Sequence, residues 1–89
     1  MAWRIEIARP AERDLDRLDP TVAKRLLAFL HDRLSALEDP RSLGEALRGA
    51  RLGSLWKYRV GDYRIITSIE DGRLTILVVR FGHRRDVYR

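Results

Sequence analysis

The chain has no cysteine, which excludes a disulfide framework, a thiolate metal site and a cysteine nucleophile. Only His31 and His83 carry imidazole, too few for a structural zinc site, and no metal or other cofactor is expected. No apolar run approaches the roughly 18 residues a membrane span requires, and the first residues do not form a signal-peptide core. The expected location is therefore the cytoplasm, with no membrane partner. Proline and glycine are sparse, at 3 and 6 residues, and no linker, repeat or low-complexity stretch interrupts the chain. What the 89 residues do contain is 45% hydrophobic and 35% charged side chains, the mixture of a folded domain rather than a disordered chain. That length suits one domain spanning residues 1–89.

Charge is unevenly divided. Residues 1–45 carry eight Lys and Arg against nine Asp and Glu, whereas residues 46–89 carry ten against four. The formal charge of +5 thus belongs to the second half. A one-sided basic surface is the electrostatic footprint of a polyanion partner, RNA or DNA before membrane.

The hydrophobic period changes in the same place. Trp3-Arg4-Ile5-Glu6-Ile7 alternates with period two and predicts a half-buried strand. Pro10 ends it and opens a helix with Ala11, Leu15 and Leu18 at helical spacing. Asp19-Pro20 reads as an N-cap and first helical residue. Behind it, Val22, Leu26, Phe29, Leu30, Arg33 and Leu37 trace one face of a second helix, completing a helical hairpin. Asp39-Pro40 stops that helix, and residues 41–54 are expected to be a loop or a poorly formed helix. Then Leu55–Val60, Tyr63–Ile69 and Leu74–Phe81 are rich in β-branched and aromatic residues. Gly61-Asp62 and Asp71-Gly72 stand between them as two-residue hairpin signals. The expected fold is α+β: an N-terminal strand, two helices, then a three-strand antiparallel meander with the helices on one face.

The first hairpin fixes a register. With Gly61-Asp62 as the loop, Arg59 lies opposite Arg64, Tyr58 opposite Ile65 and Lys57 opposite Ile66. Trp56, Tyr58, Val60, Tyr63 and Ile65 then share the face under the helices, and Lys57, Arg59 and Arg64 share the other. Opposed like charges destabilise a strand pair by up to about 1 kcal/mol, and a bound phosphate backbone would repay them. In the last nine residues, Gly82 permits a change of direction that could return Arg84, Arg85 and Tyr88 toward this basic face. His83, with an ordinary pKa near 6.5, is a possible acid or base.

Leu47-Arg48-Gly49, the run Leu55 to Ile66, and Gly82-His83-Arg84-Arg85-Asp86-Val87-Tyr88 resemble the RelE/ParE superfamily of bacterial toxins. The resemblance spans nearly the whole chain, and the His-Arg-Arg-Asp-Val-Tyr tail favours the RelE branch. It implies the toxin of a type II toxin–antitoxin system, a ribosome-dependent endoribonuclease that cuts mRNA without a metal. It further implies neutralisation by an acidic antitoxin in a hetero-oligomer. Carried over by position, Lys57 and Arg59 take the two basic sites of the first meander strand, and Arg64 matches the arginine that holds the scissile phosphate. Arg84 matches the tail arginine at the leaving group, and Tyr88 the C-terminal tyrosine that orients the substrate. Arg48, Arg51 and Arg85 are expected to bind RNA.

Two departures bear on mechanism. Arg59 replaces a lysine of the best-known member, and arginine stays protonated, so it stabilises charge but is a poor base. The spacing from Arg84 to Tyr88 is also shorter, so the proton role could pass to Lys57, His83 or Tyr88. Two other functions fit the same residues: a ParE-like inhibitor of DNA gyrase, and a non-catalytic nucleic-acid-binding module. Leu, Phe and Ile side chains left exposed along the helices would form the antitoxin's docking groove.

Overall fold

In the computed structural model, which describes residues 3–47 and 55–83, five strands form one sheet in the order β1-β5-β4-β3-β2. Arg48, Arg51, Arg84, Arg85 and Tyr88 lie outside the described residues. Strand β1 (Arg4–Ile7) pairs in parallel with β5 (Thr75–His83), Arg4 opposite Thr75 and Ile7 opposite Val78. A parallel neighbour needs a long crossover, and the two helices supply it. Strands β3 (Leu55–Val60), β4 (Tyr63–Glu70) and β5 form the expected antiparallel meander.

Helix α1 (Arg9–Arg17) begins beside Pro10, whose missing N–H costs nothing in a first turn. Helix α2 (Pro20–Ala28) is capped by Asp19, whose carboxylate accepts the Thr21 N–H at 2.9 Å. Both lie on one face of the sheet. Ala11, Leu26, Leu30 and Leu34 pack there against Tyr58, Ile65, Ile69, Ile76, Val78 and Phe81.

Four local features depart from the sequence expectation. First, α2 continues as a π-helical segment, Phe29–Leu34, in which the Ser35 N–H bonds the Leu30 carbonyl at 2.9 Å. Bonding five residues apart widens the turn, so Leu34 rather than Arg33 joins Leu30 in the core. Arg33, expected on the buried face, is exposed. Second, a two-residue strand β2 (Glu45–Ala46) lies within the supposed loop, Glu45 opposite Lys57. Third, Asp71-Gly72 is no two-residue turn: Asp71–Arg73 form a 3-10 turn and Leu74 takes a left-handed conformation at φ 47°. Fourth, a bulge shifts the β4–β5 register: Ile66 faces Arg80 and Thr67 faces Val78, so Val79 is the extra residue. That insertion reverses the alternation, and both Val78 and Phe81 turn into the core.

The apolar side chains of the helices are not left exposed. Leu15, Leu18, Val22, Leu27 and Phe29 are partly buried against the core, and the exposed large hydrophobic side chain among the described residues is Leu74, on the β4–β5 turn. No helix among the described residues is long and apolar enough to cross a membrane.

Candidate nucleic-acid interface

The Gly61-Asp62 turn closes β3 onto β4 with Val60 opposite Tyr63 and Arg59 opposite Arg64, as the sequence register requires. Gly61 has φ +61°, the left-handed region that glycine enters without strain. In a two-residue hairpin the residues flanking the turn exchange backbone hydrogen bonds, so Arg59 and Arg64 form the next, non-hydrogen-bonded pair. Side chains approach most closely in such pairs. Arg59 and Arg64 are therefore close neighbours whose side chains leave the same face of the sheet, with Lys57 two residues along that face. Neither Arg59 nor Arg64 has an ion-pair partner among the described residues; the Arg64 guanidinium donates only a long bond, 3.3 Å, to the Tyr63 carbonyl.

Lys57 is less open than the sequence suggested. Its side chain is 19% exposed, and Nζ lies 3.3 Å from the Glu45 carboxylate on β2. Ile66, its partner on β4, is buried, with Arg80 on its far side in the β5 register. The basic face is thus two exposed or half-exposed arginines beside a lysine held by a carboxylate.

His83 does not join them. It pairs with Tyr63 across the β4–β5 ladder and meets that ring edge-on, centroids 5.6 Å apart. Tyr63 and Ile65 share the helix side of the sheet, so His83 lies on the face opposite Arg64.

Beside Lys57 and Arg59, β2 stops short. It pairs only as far as Lys57, so the main chain of Arg59 borders a cleft of about 330 Å³ instead of a strand. It is lined by Phe29 and Arg33 from the end of the helical segment, by Leu43, Gly44 and Glu45, and by Lys57, Tyr58 and Arg59 of β3. Two bonds hold the segment before β2 in place. The Trp56 indole N–H donates to the Leu43 carbonyl and the Tyr58 hydroxyl to the Pro40 carbonyl, each at 2.7 Å. Burial pushes the Tyr58 hydroxyl well above its ordinary pKa, so it stays a donor. Gly44 sits at φ +74°, where a Cβ would fall 2.3 Å from the Lys57 carbonyl oxygen. The close passage of the chain over β3 therefore requires glycine there.

A residue absent from the sequence reading fixes the end of β5. Strand β1 pairs β5 only as far as Val78, which leaves the Phe81 N–H on an open edge. Asp14 of α1 accepts it at 2.9 Å and also accepts the Arg80 Nε–H at 2.8 Å. The carboxylate is 9% exposed. Ala11, Asp14, Leu15 and Leu18 share one helical stripe, so an acid in a core-facing position was the signal that could have found it.

Comparison with known proteins identifies the family. The family described as the ParE toxin of type II toxin-antitoxin system, parDE, matches residues 5–88. Toxin RelG of Mycobacterium tuberculosis is 32% identical over 89 residues, covering 100% of this chain and 99% of that protein. The toxin–antitoxin complex RelBE2 from Mycobacterium tuberculosis contains a chain that superposes with a TM-score of 0.85 at 29% identity, covering 97% of this chain and 95% of that one. The archaeal RelE–RelB complex from Pyrococcus horikoshii gives 0.73 at 27% identity, covering 98% and 100%. The sheet, the helical crossover and the opposed arginines thus stand in a chain that belongs to the RelE/ParE superfamily of type II toxin–antitoxin toxins.

Proposed function

We propose that this toxin is a ribosome-dependent mRNA endoribonuclease. The observation that carries the reading is the direct opposition of Arg59 and Arg64, with Lys57 on the same sheet face. RNA brings its own nucleophile. The ribose 2′-OH attacks the adjacent phosphorus, the bond to the 5′ oxygen breaks, and the products are a 2′,3′-cyclic phosphate and a 5′-OH. The proton of the 2′-OH leaves to a base, and one returns to the departing oxygen. What the protein must supply is in-line geometry, stabilisation of the phosphorane's charge and those proton transfers.

Arg64 and, by family position, Arg84 clamp the phosphate through paired N–H donors. Arg59 and Lys57 stabilise the added charge. Arg59 cannot serve as a base and His83 lies on the other face, so proton transfer falls to Lys57 or Tyr88. A site with so few ordinary acids and bases works poorly alone, which suits an enzyme that relies on the ribosome to hold mRNA in line. Arg48, Arg51 and Arg85 extend the contact to flanking phosphates. The solved relatives named as toxin–antitoxin complexes support a cognate antitoxin in a hetero-oligomer, and the basic face suits an acidic one.

The family description names ParE, which favours one second reading, an inhibitor of DNA gyrase that cuts no RNA. Primer extension on a defined mRNA, with and without ribosomes, decides between them. Ribosome-dependent cuts at codon spacing support the nuclease. Intact mRNA, together with blocked supercoiling by gyrase, would replace it with the second reading.

A further inference from the structure

The cleft beside β3 brings in residues from α2 that the family resemblance did not point to. Phe29 and Arg33 lie one turn apart at the helix end, and both line the cleft together with Lys57 and Arg59 of β3. Arg33 is exposed and has no ion-pair partner among the described residues. The π-helical turn is what puts it there, because Leu34 has taken the core position. One turn earlier, Arg25 lays its guanidinium against Gly61, with Nη2 2.8 Å from where a Cβ would stand. Arg25, Phe29 and Arg33 thus follow one another at four-residue intervals, two cations with an aromatic ring between them.

The residues that line the cleft include three basic ones, Arg33, Lys57 and Arg59, and a single acidic one, Glu45, which is already paired with Lys57. The Phe29 ring packs on Tyr58 at 5.9 Å with a 54° tilt while also lining the cleft, so its position is fixed before anything binds. An aromatic wall between basic side chains is the chemistry of single-stranded RNA binding: the ring stacks on a base and the guanidinium takes the neighbouring phosphate. The volume, near the lower end for small-molecule sites, admits one nucleotide rather than a duplex.

We propose that the cleft between the end of α2 and β3 is a binding subsite for one nucleotide of single-stranded RNA beside the scissile phosphate. Phe29 stacks on the base, and Arg33 holds the flanking phosphate. The subsite rests on the nuclease reading for its place next to the cut, but its binding can be measured without cleavage.

The test is fluorescence anisotropy with a short labelled single-stranded RNA over a salt series, alongside cleavage on programmed ribosomes. One phosphate contact contributes about 0.7 to the slope of log affinity against log salt. Arg33→Ala should weaken binding about tenfold and reduce the slope by about that amount, with Arg33→Lys recovering most of both. Phe29→Leu keeps apolar bulk against Tyr58 and should weaken binding with the slope unchanged. Arg13→Ala, an exposed arginine on α1, is the control.

Wild-type affinity and slope in Arg33→Ala, or no RNA binding by the wild type, would overturn the subsite. So would a loss of affinity for an acidic peptide but not for RNA, which would assign the cleft to a protein partner. RNA bound through Arg33 but never cut on ribosomes would support the subsite and remove the nuclease reading. Normal cutting with KM unchanged in Arg33→Ala would do the reverse.

Discussion

Substituting Asp14 should destabilise this protein more than its exposed ion pair would suggest. The carboxylate is 9% exposed and accepts bonds from the Phe81 N–H at 2.9 Å and from Arg80 at 2.8 and 3.2 Å. The two parts differ in value. Arg80 is 58% exposed, so its pairing contributes no more than about 1 kcal/mol. The bond from a buried backbone N–H to a charged acceptor contributes about 1.5–3 kcal/mol, and its loss leaves that N–H unsatisfied. Asp14→Ala should therefore cost about 2–4 kcal/mol, and Arg80→Ala less than about 1 kcal/mol. Asp14→Asn keeps an acceptor for the N–H and should fall between them. Urea denaturation at unchanged m-value reads all three. Equal costs for Asp14→Ala and Arg80→Ala would refute the assignment, because the ion pair would then be the whole effect. The consequence reaches the site, since β5 passes Phe81 on its way to His83 and the tail that carries Arg84 and Tyr88.

Other substitutions test the site's construction. Gly44→Ala meets both φ +74° and a 2.3 Å approach to the Lys57 carbonyl, and should cost at least about 2 kcal/mol by the same urea assay. Arg59→Thr relieves the opposed charges and should raise stability by a few tenths to about 1 kcal/mol while lowering cleavage on ribosomes. Stability should fall as pH rises above about 10, because the unfolded Tyr58 hydroxyl ionises near the ordinary tyrosine pKa of about 10 whereas the buried one holds its proton. Tyr58→Phe should flatten that alkaline decline in a pH series of denaturation midpoints.

Much of the fold was legible because local signals agreed. Gly61-Asp62 between two β-branched runs set the β3–β4 register, and the register alone placed Lys57, Arg59 and Arg64 on one face. Asp19-Pro20 marked the start of α2 for the same reason, a side-chain cap beside a proline. The departures arise where tertiary packing overrides period. Leu34 and Arg33 compete for one helical stripe, and core burial of Leu34 wins by opening a π-helical turn. Phe81 breaks the alternation of Ile76 and Val78, and a bulge at Val79 accommodates it. Strand β2 is only two residues long, too short for any periodicity, and depends on Gly44 passing close to β3. At Asp71-Gly72 the strong hairpin dipeptide was absorbed into a longer turn, because the left-handed residue is Leu74. Of the candidate site, the sheet residues followed from hairpin register, whereas the Arg33 wall depended on the π-helical turn and could not be read from a 3.6-residue repeat.

The central claim is that cations opposed across β3 and β4 stabilise the transition state of RNA cleavage. Single-turnover cutting of mRNA on programmed ribosomes by wild type and Arg64→Ala tests it most directly, with urea midpoints confirming that both are folded. Losing a preorganised phosphate donor should slow the chemical step by about 10²–10³-fold, with ribosome binding little changed. A folded Arg64→Ala protein that cuts the same mRNA within a few-fold of the wild-type rate would contradict the account.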